Sequence, residues 1–118
     1  NKTMTTLKEL INEAQVLVPT ITCKELSENV AEFYIIDVRE GSEIRESGMI
    51  EGATNIPRGL LEFKVQPDPE GLAAETPILV YCGGGSRASL AGKTLKELGF
   101  SHVKNLEGGF RSWQEFSS

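Results

Sequence analysis

The spacing of apolar residues changes several times along the chain, and each change marks an element. In TTLKELINEAQ (5–15) Leu7, Leu10, Ile11 and Ala14 recur at helical spacing, with Thr5 or Thr6 placed to cap the first turn. VPTIT (18–22) reads as a short extended piece. Thr22 and Glu25 then have the spacing of a capping box, which opens a second helix over CKELSENVA. EFYIIDV (32–38) and PILVYC (77–82) are nearly continuous apolar runs, the pattern of strands buried in a parallel sheet. Between them, GSEIRESG (41–48) predicts a short helical turn closed by Gly48, and ATNIP (53–57) a short strand stopped by Pro57. Residues 58–77 hold three of the five prolines and show no period, so they read as a loop with about one turn of helix. SRASLAGKTLKELGF (86–100) places Leu90, Ala91, Leu95 and Leu98 on one face, with Gly99 as its C-terminal cap. HVKNL (102–106) predicts a short strand and GGFRSWQEF (108–116) a final helix. Strands alternate with helices throughout, which predicts an α/β domain with a mostly parallel sheet.

The 118 residues fit a single domain, 1–118, in which residues 1–17 read as a helical extension. A chain of this length holds a proper core, and 39% hydrophobic with 25% charged residues is ordinary for a globular protein. The net charge of -5 argues against nucleic acid or an anionic membrane surface as the main partner. No apolar run reaches transmembrane length, and no signal-peptide pattern is visible. The first residue is Asn, so Met4 is a candidate natural start and a cleaved leader stays open. Two cysteines, Cys23 and Cys82, are too few for a disulfide scaffold. With a single histidine they form no zinc pattern, and neither a metal nor a cofactor is expected. A lone reactive thiol is easiest to keep reduced in a cytosol, which makes the cytoplasm the expected compartment.

The candidate chemistry lies in YCGGGSRAS (81–89), where a thiol and three glycines follow an apolar strand. In an open α/β sheet, ligands bind beyond the carboxyl ends of the strands. Cys82 stands at such an end, and a helix is predicted to begin near Ser86 or Arg87. Gly83, Gly84, Gly85 and Ser86 are therefore expected to form a tight loop whose N–H groups turn inward, with the helix start and the Arg87 charge converging on the same point. Such surroundings lower a thiol's pKa, so the loop is expected to hold Cys82 largely as thiolate. Each feature has an ordinary explanation: a cysteine packs as a small hydrophobe and a glycine cluster makes a turn. The ordered combination of strand, Cys, three Gly, Ser, Arg and amphipathic helix favours the anion cradle.

Three separated patterns resemble the single-domain rhodaneses, a family of sulfurtransferases. CGGGSR is similar to the family's Cys-x-x-Gly-x-Arg loop. DVREGSEIRESGMIEGATNIP (37–57) matches a family pattern at Asp37, Val38, Arg39, Glu43, Gly48, Ile50, Gly52, Ala53, Asn55, Ile56 and Pro57. NLEGGFRSW (105–113) is similar to Leu-x-Gly-Gly followed by Trp. Met49 departs from the pattern, standing where the family has a histidine held to be structural. The resemblance implies a five-stranded parallel sheet with helices on both faces. It also implies that Cys82 attacks the outer sulfur of a small donor such as thiosulfate or a polysulfide and carries it as a persulfide. A thiol, cyanide or a protein acceptor would then remove that sulfur. The N–H groups of Gly83, Gly84, Gly85, Ser86 and Arg87 would stabilise negative charge on the persulfide.

Two rival classes stand beside this reading. Cysteine-based phosphatases and arsenate reductases use a similar cradle, but with five residues between Cys and Arg; only four separate Cys82 from Arg87. Rhodanese-like domains also serve as binding or regulatory modules, typically without the cysteine that is present here. Asp37 and Arg39 lie at a strand end as possible pocket residues, with a structural salt bridge favoured. Arg58 is either a second charge at the pocket mouth or a solvated side chain. Leu60, Leu61 and Phe63 are read as core rather than rim, Phe110 and Trp113 as core, Cys23 as a packed thiol rather than a resolving one, and His102 as without chemistry.

Overall fold

The computed structural model describes residues 4–118. In chain order it comprises α1 (Leu7–Leu17), β1 (Thr20–Ile21), α2 (Cys23–Glu28), β2 (Tyr34–Asp37), α3 (Gly41–Ser47), β3 (Thr54–Asn55), α4 (Leu61–Lys64), β4 (Ile78–Tyr81), α5 (Ser86–Glu97), β5 (Val103–Leu106) and α6 (Gly109–Ser117). Single 3-10 turns precede β2, at Val30–Glu32, and α4, at Arg58–Leu60. The five strands pair in parallel in the order β1-β5-β4-β2-β3. This confirms the α/β class with a five-stranded parallel sheet.

The strands are short, and they hold together because both faces of the sheet are covered. Ile36, Ile78 and Val80 pack under α1, α4 and α5 with Val18, Leu61, Ala91 and Leu95. Their neighbours Ile35, Leu79 and Tyr81 point the other way, toward Leu26 of α2 and Phe110 of α6. This alternation is the pleat of a strand, and burial on both sides explains why the sequence reads as continuous apolar runs. Thr6 rather than Thr5 caps α1, its side chain accepting the Glu9 N–H, and α2 starts from the predicted capping box, in which the Thr22 side chain accepts the Glu25 N–H.

Two expectations of burial need correction. The period of α1 is helical, but only Ala14 is fully buried on it, with Val18 just beyond; Leu7 and Leu10 remain exposed. The helix lies on α5, and the approach is close at Gly92, where an added Cβ would stand 2.9 Å from Val18 Cγ1. In the irregular segment, Leu61 is core, but Leu60 and Phe63 are exposed. Among the described residues, no helix is long and apolar enough to cross a membrane.

The strand order fixes where a site forms. The chain leaves β2 toward β3 on one side, and leaves β4 toward β5 on the other. The loops after two adjacent strands therefore diverge, opening a crevice at their carboxyl ends, the place where open α/β sheets bind ligands. Asp37 and Tyr81 are paired at that edge, and Cys82 follows directly.

Candidate active site

Cys82 continues the inward alternation of β4, so its side chain starts in the core and is 1% exposed. The chain then turns through Gly83–Gly85 into α5. Of the three glycines only Gly85 has positive φ, at 121°, a conformation that a side chain disfavours. That turn sends the Gly85 N–H back onto Cys82 Sγ at 3.0 Å. A second donor, the Ala88 N–H in the first turn of α5, reaches Sγ at 3.3 Å. The sulfur is thus held by two backbone donors. Of the five N–H groups expected around a persulfide, Gly85 donates to Sγ itself, and Ala88 is a donor outside that expected set. Any residue supplies an N–H, so residue type gave no sign of it; only the pitch of the first helical turn does.

Behind the loop, a polar lock holds Gly85. Its carbonyl accepts from the Ser89 N–H at 2.9 Å, Ser89 Oγ at 3.0 Å and Asn105 Nδ2 at 3.2 Å. On the other flank, the start of α6 clamps Cys82 and Gly83. The Phe110 N–H donates to the Cys82 carbonyl at 2.8 Å, and the Arg111 N–H to that of Gly83 at 3.2 Å. The Gly108-Gly109 pair permits this approach: a Cβ on Gly109 would lie 2.6 Å from both carbonyl oxygens. The Leu-x-Gly-Gly pattern is therefore a contact to the cysteine loop rather than a free turn.

Arg87 does not stand free at the pocket. Its guanidinium forms a two-pronged pair with Glu43 of α3, Nη1–Oε1 2.7 Å and Nη2–Oε2 3.0 Å, across the crevice. The Arg87 hydrogen bonds, aided by the Glu40 N–H and the Arg87 and Arg39 charges and opposed by burial, hold the Glu43 carboxyl down at about 2, against an ordinary value of 4.5. Arg87 is raised in return, chiefly by the same bonds. A carboxyl whose pKa is depressed on folding stabilises the fold above its ordinary value, and that contribution fades as pH falls toward the folded value. The stability advantage of the native chain over Glu43→Gln is therefore expected to shrink between about pH 5 and pH 2. Urea unfolding of both proteins across that range checks it, and the difference should also weaken in salt because the pair is partly exposed.

Asp37 and Arg39 do not line a pocket, contrary to that possibility. They form a buried ion pair, with Arg39 Nη2 2.7 Å from Asp37 Oδ2, and are 0% and 2% exposed. Arg39 also donates to Ser47 Oγ at 3.1 Å and to the Gly48 carbonyl at 2.6 Å, and its guanidinium carbon lies 4.2 Å from the centre of the Phe110 ring. Arg58 is engaged as well, with Glu62 at 3.1 Å and Thr94 Oγ1 at 3.0 Å. Tyr81, its hydroxyl accepting the Ile50 N–H at 3.0 Å, has its acidity pushed down mainly by burial. Cys23 packs on the opposite face of the sheet from Cys82, and burial raises its thiol pKa. Phe110 is buried and Trp113 packs at the edge of the same cluster. His102 is exposed and shares a hydrogen bond with Ser101 Oγ at 2.8 Å.

A cysteine at the crevice, cradled by a loop that α6 clamps from outside, coincides with a match to the rhodanese-like domain model over residues 22–116. The chain belongs to the rhodanese-like family. The human thiosulfate:glutathione sulfurtransferase is 31% identical over 112 residues, covering 85% of this chain and 96% of that protein. A sulfurtransferase of Allochromatium vinosum is 29% identical, covering 82% of this chain and 89% of its own length. Among solved structures, a Rhodopseudomonas palustris protein of unknown function, described as a possible tyrosine phosphatase, superposes with a TM-score of 0.83. It is 31% identical, and the alignment covers 100% of this chain and 96% of that one. Among the described residues there is no cluster of His, Cys, Asp or Glu that could hold a metal ion.

Proposed function

We propose that this rhodanese-like protein is a sulfurtransferase in which Cys82 carries the transferred sulfur as a persulfide. The observation that carries the reading is the pair of N–H groups on Cys82 Sγ, at 3.0 and 3.3 Å, at the end of β4. Donors fixed in place before reaction stabilise negative charge on sulfur without reorganisation. In the first half-reaction, Sγ attacks the outer sulfur of a donor such as thiosulfate or a polysulfide. The donor's S–S bond breaks, and its electron pair leaves with the remnant. In the second, a thiolate or cyanide attacks the outer sulfur and the Cys82 Sγ–S bond breaks. The pair returns to Sγ, and no net oxidation occurs. Sulfurtransferase names among the relatives support the same class.

The phosphatase reading is weaker. Four residues rather than five separate Cys82 from Arg87, and both prongs of the Arg87 guanidinium are engaged by Glu43. A purely non-catalytic binding role leaves the two donors on Sγ without a purpose.

Steady-state kinetics test the proposal. With donor and thiol varied together, double-reciprocal plots are expected to be parallel, the sign of a covalent intermediate. Cys82→Ser is expected to lose at least ~1,000-fold in activity. Intersecting lines, or a Cys82→Ser variant that turns over normally, would refute it.

A further inference from the structure

We infer that Glu43 sets the donor specificity of the Cys82 site: it cancels the charge of Arg87 at the crevice, and so disfavours a doubly charged donor such as thiosulfate against an organic persulfide whose remnant leaves as a single thiolate. The reaction itself rests on the sulfurtransferase reading; the selectivity rests on where the charges lie.

Arg87 is in the first turn of α5, between Gly85 and Ala88, whose N–H groups hold Cys82 Sγ. Its guanidinium folds back over the loop, with Nη2 3.3 Å from the point where a Cβ on Gly83 would stand. Consecutive Cα atoms are about 3.8 Å apart, so this nitrogen lies within about 9 Å of the Cys82 Cα. That is no more than about one Debye length at ordinary ionic strength. The bonds to Glu43 are the largest influence on Arg87, burial opposes them, and the Glu43 and Cys82 charges raise its pKa further.

Residues 83–86 carry no charged side chain, so Arg87 is the loop's own cation. Its two prongs end on the two carboxylate oxygens of Glu43, at 2.7 and 3.0 Å. Those bonds hold the Glu43 carboxyl at about 2, so it is ionised at neutral pH. The pair has no net charge. Both side chains are partly exposed, at 42% and 35%, so an anion entering the crevice meets the carboxylate as well as the guanidinium. Arg39, whose charge also reaches Glu43, is buried against Asp37. Arg111, whose N–H holds the Gly83 carbonyl, enters no ion pair among the described residues. With thiosulfate the Cys82 thiolate meets a dianion, and no net cation at the lip offsets the repulsion. An organic persulfide brings at most one charge. Sγ bonds to its outer sulfur, the donor's S–S bond breaks, and the electron pair leaves with the thiolate remnant. Any proton on the outer sulfur stays there.

Glu43→Gln and Arg87→Gln break the same ion pair but change the charge beside Cys82 in opposite directions. Alkylation of Cys82, located by peptide mass, reads that charge without sulfur transfer. The rate with iodoacetate relative to neutral iodoacetamide is expected to rise about fivefold in Glu43→Gln and to fall about fivefold in Arg87→Gln. The double variant should return near the native ratio, and the differences should shrink in roughly 1 M salt. Arg111 is the same in all four proteins, so these differences do not depend on it. In single-turnover loading, the native chain should take sulfur from 2-hydroxyethyl persulfide at least about tenfold more efficiently than from thiosulfate. Glu43→Gln should shift that ratio about tenfold toward thiosulfate, and Arg87→Gln should shift it the other way. A merely structural tie would move both single variants alike; that result, unchanged ratios, or a native preference for thiosulfate would overturn the inference. If the alkylation ratio follows the charge while no protein takes sulfur from either donor, the sulfurtransferase reading fails and the charge assignment stands.

Discussion

Gly109→Ala is expected to destabilise the protein by about 2–5 kcal/mol and to lower sulfur transfer at least ~100-fold, although the substitution adds a single methyl. Gly109 has φ of 63°, in the left-handed region that a Cβ makes unfavourable. Its Cβ would also lie 2.6 Å from the carbonyl oxygens of Cys82 and Gly83, closer than any contact a backbone tolerates. Those carbonyls are the ones that α6 holds through the Phe110 and Arg111 N–H groups. Moving α6 outward releases them, and the peptides of the loop turn with them. The Gly85 N–H then leaves Sγ, and a misplacement of about 1 Å at a reacting group can cost 100-fold. Denaturant unfolding gives the first effect and single-turnover loading of Cys82 the second. An alanine variant with native loading would mean that the clamp does not set the loop.

Arg39→Ala is expected to cost about 3–5 kcal/mol, because it leaves Asp37 charged and buried with no cation. Asp37 is 0% exposed, and the Arg39 Nε and Nη2 groups are its side-chain partners, at 3.1 and 2.7 Å. The loss extends further, since Arg39 also ties Ser47 and the Gly48 carbonyl at the end of α3 and covers the Phe110 ring. α3 carries Glu43, the partner of Arg87, so its loosening frees the far side of the crevice. Arg39→Lys keeps a charge but not the fork, and should recover only part of the stability. Chemical unfolding of the three proteins checks the order native, Lys, Ala. A near-neutral Ala variant would contradict the buried-pair account.

The candidate cysteine was legible because several local signals agree there: a continuous apolar strand, a glycine run, and a helix of clear period. The capping box at Thr22 was legible for the same reason, since both partners lie within one turn. What the chain hides is long-range. Arg87 and Glu43 lie far apart in sequence, and nothing in either segment names the other. The strand order is hidden too, because β2 and β4 both read as buried strands and neither pattern names its neighbours. Leu7 and Leu10 show why a helical period does not tell which turn is covered: α1 buries Ala14 against the domain, and the chain approaches α5 most closely where Gly92 admits Val18. Asn105 reads as one polar residue in a short strand, and only its placement beside Gly85 and Ser89 gives it a task.

The central claim is that Cys82 carries sulfur. Intact-mass measurement after incubation with thiosulfate or polysulfide, then with cyanide, tests it most directly. The native chain is expected to gain the mass of one sulfur atom and to lose it with cyanide, while Cys82→Ser gains nothing. A native chain with reduced, alkylatable Cys82 that gains no sulfur from either donor would contradict the account.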